Sequence, residues 1–168
     1  MTCRICFTQP SLGHVKKCQR GLEAYYMPRN CQGHIEFLQS WHRSNMHKAA
    51  MMLGRHQDKA LDILWDDSVD GELGHKHWYR RWFTSPGSNK PRYAQHEAFM
   101  PGQIVGIHCM LPVSIPDADL AALMTVAGRY IGLSPWRPGS FGKFVVESVR
   151  SRQALTAPVV DLQGLRTV

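Results

Sequence analysis

The chain has 168 residues, 43% hydrophobic and 20% charged, which fits one folded domain with its own core and excludes wholesale disorder. Its 20 lysines and arginines outnumber 13 acidic residues for a formal charge of +7, so polyanions head the list of partners, nucleic acid first and an acidic protein surface second. No apolar run approaches a membrane span and no secretory hydrophobic stretch opens the chain, which predicts a cytoplasmic protein with no membrane contact.

Five cysteines, an odd count without an export signal, argue against a disulfide framework. Cys109 lies in an apolar run and reads as a small buried hydrophobe. The other four fall within residues 1–34. There Cys3-x2-Cys6 and Cys31-x2-His34 have the two-residue spacers that let both ligands of a knuckle reach one zinc ion, as three thiolates and one imidazole. Neither pair has the usual glycine after its second cysteine, and Cys18 has no role in the set. The alternative is an irregular Cys-containing segment with no cofactor. Either way, residues 1–34 are set apart from a single α+β domain over residues 35–168.

Residues 35–54 carry a helical stripe, Ile35, Leu38, Trp41, Asn45, Ala49 and Met52, with Gly54 as its natural end. Residues 58–65 read as a second short helix capped by Asp58. Asp66-Asp67 and Asp70-Gly71-Glu72 then form an acidic turn, a solvated loop rather than a magnesium site. Residues 75–93 are the most basic and aromatic stretch. Arg80, Arg81 and Trp82 stand among Trp78, Tyr79 and Phe83, and Lys90 and Arg92 follow a Ser-Pro-Gly-Ser-Asn loop. Rings that stack on unpaired bases, interleaved with guanidinium groups for phosphates, are what a single-strand binder uses; a core strand or helix with Trp78 and Trp82 inward is the competing reading.

Residues 102–149 hold the clearest unit. Ile104, Val105, Ile107, Cys109 and Leu111 make a strand ending at Pro112. Asp117 is placed to cap a helix whose stripe is Leu120, Leu123, Met124, Ala127 and Ile131, stopping at Gly132. A turn-rich segment from Ser134 to Gly142 leads to a strand with Phe144, Val145, Val146 and Val149. A right-handed crossover of this kind puts both strands in one sheet with the helix across one face. Gly139 and Gly142 allow close backbone approach, to a phosphate or simply within a tight turn, with Arg129, Arg137, Lys143 and the stacking face of Trp136 around them. Residues 150–168 read as a partly ordered terminus.

The segment Ile131-Gly132-Leu133 to Gly139-Ser140-Phe141-Gly142-Lys143-Phe144 resembles the C-terminal glycine-rich loop of the RAMP superfamily, the RNA-binding and RNA-processing subunits of CRISPR effector complexes. Residues 117–149 are also similar to the C-terminal part of a group of bacteriophage-encoded proteins, through Gly128, Arg129, Tyr130, Gly132, Leu133, Trp136, Arg137, Pro138, Phe141, Gly142, Lys143 and Phe144. The resemblance implies a ferredoxin-like (RAMP-type) sheet with helices on one face, an RNA partner and protein partners in a larger complex. Only one βαβ unit is legible, however, and no catalytic residue carries over.

Charge, aromatic-basic run and glycine loop together predict a non-catalytic protein that binds RNA or single-stranded nucleic acid. Two other classes stand beside it. One is a phage-encoded interaction factor that blocks a host nucleoprotein complex, as an anti-CRISPR does. The other is a small RNA endonuclease built on His75, His77, Tyr79 and Arg80. No carboxylate or further histidine is fixed to those groups by spacing, so no catalytic site is assigned.

Overall fold

Alternation decides the first element: Cys3, Ile5 and Phe7 are buried while Arg4 between them is exposed, the pattern of a strand with one face on a core. The structure, a computed structural model, describes residues 1–19, 22–71, 77–84, 91–135 and 140–151, with side chains of 17–19 and 22 excepted. The elements run β1 (Thr2–Phe7), β2 (Ser11–Leu12), β3 (Val15–Gln19), β4 (Leu22–Tyr26), α1 (Gln39–Leu53), β5 (Leu64–Asp70), β6 (Trp78–Thr84), β7 (Pro91–Phe99), β8 (Ile104–Met110), α2 (Asp117–Val126) and β9 (Phe144–Arg150).

Four strands form an antiparallel sheet in the order β5-β8-β1-β9. Taking β1, α1, β5, β8, α2 and β9 in chain order gives βαββαβ, with β1 inserted between β8 and β9. This is the ferredoxin-like arrangement, its two crossovers interleaved. Both helices cover one face, where Trp41, Met46, Ala49 and Ala50 of α1 and Leu120, Leu123 and Met124 of α2 meet Ile5, Phe7, Val105 and Ile107. The other face carries Arg4, Ile104, His108 and Met110.

The second sheet is inserted into this frame. β7 pairs with β4 in parallel and with β6 and β2 antiparallel, and β3 pairs with β4. β7 delivers Phe99 into the first core, where it stacks on Phe7 at 5.7 Å and meets Phe37 edge-on at 5.5 Å. The two sheets therefore share one apolar cluster.

Several expectations change. The N-terminal segment is not irregular: β1 is a central strand of the main sheet, and β2 to β4 are three of the five strands of the second. No helix forms over 58–65. Lys59–Asp62 make a single 3-10 turn, Asp58 gives no side-chain cap, and β5 begins at Leu64. Pairing of Leu64 with Met110 and Trp65 with Cys109 buries Trp65 to 3% exposure, and that tertiary gain overrides local helical preference. Of the acidic turn, Asp66 and Asp67 form the irregular middle of β5 and Asp70 its last residue, while Glu72 lies outside the described residues. Asp66 Oδ1 accepts from the amide of Ser68 at 3.0 Å and its hydroxyl at 2.8 Å, where the register with β8 shifts. Asp117 is the first helical residue rather than the cap; Pro116 holds the cap position without a side-chain bond. The helix over 35–54 starts at Gln39 and ends at Gly54, which takes the left-handed conformation.

Candidate nucleic-acid interface

β6 sorts its residues onto two faces. Trp78, Arg80, Trp82 and Thr84 point one way, Tyr79, Arg81 and Phe83 the other. The register with β7 puts Tyr93 opposite Trp82, and Arg92 opposite Phe83. Thus Arg80 and Trp82, adjacent in sequence to Arg81, do not share its surroundings. The cationic group read from the sequence is divided between two sides of one sheet.

On the inner side Arg81 is half-buried. Its guanidinium carbon lies 5.3 Å from the ring centroids of both Phe83 and Phe141, and its Nε donates to His96 Nε2 at 3.2 Å. His96 Nδ1 lies 3.1 Å from the Gly13 carbonyl, which can only accept. The imidazole is therefore neutral, with its proton on Nδ1 and a lone pair toward the arginine. Burial, with the Arg81 charge adding to it against the Gly13 bond, holds His96 down to about 4. Burial also lowers the pKa of Arg81. Arg92 on this side donates to Glu23 at 3.1 Å, and Lys16 meets the same carboxylate at 3.0 Å. The Lys16, Tyr25 and Arg92 bonds hold the Glu23 carboxyl below its ordinary value.

Phe141 comes from the glycine-rich loop, which also touches Tyr79 with ring centroids 5.5 Å apart. The loop is knitted by backbone: Leu133 N donates to Gly142 O at 2.7 Å, Gly142 N to Pro10 O at 2.8 Å, and Ser11 Oγ to Leu133 O at 2.5 Å. Gly132 and Gly142 have φ of +86° and +74°, and a Cβ on either would lie 2.5 Å from backbone of the facing segment. These two glycines serve chain-to-chain approach, and the Gly142 amide already has its acceptor. Gly139, Trp136, Arg137 and Lys90 lie outside the described residues, as does His75.

Beside the loop a cleft of about 650 Å³ is lined by Thr8, Gln9, Thr125, Arg129, Ser140 and Lys143, with Phe144 to Val146 as its apolar wall. Arg129 is exposed and lies 5.4 Å from the Tyr130 ring. Burial lowers the pKa of Lys143, whose backbone carbonyl accepts from the amides of Thr8 and Gln9. The fold thus brings together Arg129 and Lys143 from opposite ends of the glycine segment. Thr8, Gln9 and Thr125 carry no motif; only the packing that sets the end of β1 and α2 beside Ser140 of the loop reveals them.

The structure does not bring Cys3, Cys6, Cys31 and His34 together. Strand alternation buries Cys3 against the core, and Cys6 falls on the other side of β1; Cys31 and His34 are exposed in a turn. No group of three or more His, Cys, Asp or Glu side chains among the described residues is placed to hold a metal ion. Cys3 instead sits next to Cys109, and their hydrogen bond together with burial raises the Cys3 thiol well above its usual value. No helix among the described residues is long and apolar enough to cross a membrane.

No family model matches the sequence. No curated protein matches it either. Among solved structures, one described as a Cas6 product complex aligns with a TM-score of 0.33 and 14% identity, over 88% of this chain and 53% of that one. The chain therefore spans about half the length of that protein. The ferredoxin-like assignment rests on the strand order itself.

Proposed function

We propose that the protein is a non-catalytic binder of RNA or single-stranded nucleic acid, working as a subunit of a nucleoprotein complex of phage or CRISPR type. The observation that carries this reading is the contact of Phe141 with Arg81, which draws the aromatic-basic strand β6 and the glycine loop into one region. Next to it lies the cleft with Arg129 and Lys143, a place where a phosphate meets two cations and small hydroxyl donors. The formal charge of +7 supports a polyanionic partner, and the loop's resemblance to RAMP proteins supports RNA. Leu64 and Met110, paired across β5 and β8 and 56% and 67% exposed, favour a protein neighbour in the same assembly.

A filter-binding titration with a single-stranded oligonucleotide at increasing salt tests the reading. Affinity that falls log-linearly with salt is the expected result. Binding that is absent, or flat with salt, removes it.

A further inference from the structure

The outer side of the β6–β7 pair holds a row of rings that packing among the described residues does not use up. Trp82 is 68% exposed and Tyr93 36%, yet the two lie directly opposite each other, ring centroids 5.2 Å apart. Two residues along β6 on the same side is Arg80, exposed; two further is Trp78, half-buried, its ring 5.3 Å from Tyr26. By strand geometry Arg80 stands roughly 7 Å from each tryptophan along β6. Glu97, opposite Trp78 in the register, is buried and clamped by two 2.7 Å bonds from Arg29, so it brings no unbalanced negative charge to the row. The inner residues of the same strand, by contrast, are engaged with Phe141 and His96.

We infer that this outer row is a stacking platform for unpaired bases, with Trp82–Tyr93 receiving a base face and Arg80 the adjoining phosphate. The inference rests on the nucleic-acid reading above and sharpens it: the ligand is single-stranded, and besides the phosphates that meet the cleft it presents bases to the side of β6 away from the glycine loop. A cross-strand aromatic pair does stabilise a hairpin, but it does so by covering its partner's surface, and a tryptophan two-thirds in water covers little. Ring stacking is open to every base, so the row discriminates strandedness rather than sequence. In a duplex the base faces are already occupied by one another, and only phosphates remain to be bound.

The test is a set of binding titrations with a uridine homopolymer and with an RNA duplex of equal length, for wild type, Trp82→Ala, Trp82→Phe, Tyr93→Ala and Arg80→Ala. Because these side chains are exposed, each variant is expected to melt cooperatively near the wild-type temperature. Trp82→Ala and Tyr93→Ala are expected to weaken homopolymer binding about ten-fold with the salt slope unchanged. Trp82→Phe restores most of the affinity, duplex binding is unaffected by all three, and Arg80→Ala reduces the salt slope by about one. If wild type binds with the expected salt dependence and Trp82→Ala binds the homopolymer equally well, the platform is wrong and the broader reading stands. Equal losses on homopolymer and duplex also overturn the platform. If wild type binds neither nucleic acid at any salt, the broader reading fails and takes the platform with it.

Discussion

Arg81 and Phe141, far apart in sequence, meet with guanidinium and ring 5.3 Å apart, and this contact pins the glycine loop to the second sheet. The arginine is planar, lies 5.3 Å from the rings of two phenylalanines and is hydrogen-bonded to a buried histidine, a combination that lysine cannot reproduce. Arg81→Ala and Arg81→Lys are both expected to lower stability by about 1–3 kcal/mol, from the lost hydrogen bond and ring contacts. Neither is expected to change the salt slope of nucleic-acid binding, because the group faces the interior. Chemical denaturation and salt-dependent titration of the same two variants read both expectations. A changed slope with unchanged stability would place Arg81 on the ligand.

Two buried histidines make the fold acid-sensitive. His42, stacked on Trp65 at 4.5 Å and 1% exposed, is pushed down to about 3 by burial, and His96 is held down to about 4. Unfolded, each titrates near 6.5, so below that value the unfolded chain binds protons that the folded chain refuses. Stability from these groups is thus complete above pH 6.5. It declines as pH falls toward 4 for His96 and toward 3 for His42, by at most about 1.4 kcal/mol per pH unit for each. Denaturant midpoints between pH 7 and pH 4.5 are expected to fall, and more gently in His42→Phe. A flat profile would contradict the burial of both rings.

The loop glycines predict a further separation. Ala at Gly132 or Gly142 meets backbone atoms at 2.5 Å and a φ that a side chain resists, so either variant is expected to lose several kcal/mol or fail to accumulate as folded protein. Gly102 and Gly54 also have positive φ, but nothing lies within 4 Å of the added carbon. There Ala costs only the backbone strain, about 1 kcal/mol, and Asn less. Thermal melts of the four alanine variants distinguish crowding from conformation. Equal losses at all four would mean that the loop's close chain approach is not as described.

His108 is bracketed on the open face of the main sheet. Its Nε2 donates to Asp70 Oδ2 at 2.7 Å, and Nδ1 lies 3.1 Å from the Thr2 hydroxyl. The three side chains tie the edge strand β5 through β8 to β1, across the place where β5 loses regular pairing. His108→Ala is expected to cost about 1–2 kcal/mol and to speed amide exchange in β5 well before β1. Uniform exchange in the two strands would deny the histidine that local role.

How much of this was legible in the sequence differs from element to element, for physical reasons. β8, α2 and β9 were legible because each carries its own period, and a crossover linking them has few alternatives. The first crossover was hidden. β1 is short and its inward Cys3 reads as a metal ligand; β5 is broken by Asp66 and Ser68, whose side chains replace the ladder locally. A strand whose identity comes from its neighbours on both sides has no local signature. The site shows the same split. The aromatic-basic character of β6 is written in its residues, but sequence adjacency joins Arg80, Arg81 and Trp82, whereas alternation separates them. The hairpin register, which sets Tyr93 against Trp82, and the return of Phe141 to Arg81 both depend on long-range pairing.

The remaining cations are expected to differ in what they give a bound strand. Arg129 and Lys143 line the cleft, and neither has an ion-pair partner among the described residues. A phosphate that reaches them displaces small counterions into solution, so each contributes to the dependence of affinity on salt. Arg92 is already 3.1 Å from Glu23, which it shares with Lys16. To meet a phosphate it must leave that carboxylate, and the net gain in charge neutralised is small. Arg129→Ala and Lys143→Ala should therefore each reduce the slope of log affinity against log salt by about 0.7–0.9, the value for one phosphate contact, and their effects should add in the double variant. Arg92→Ala should leave the slope within error and reduce affinity little, if at all. A slope reduced by Arg92→Ala and not by Lys143→Ala would move the strand from the cleft to the β3–β4 edge of the second sheet.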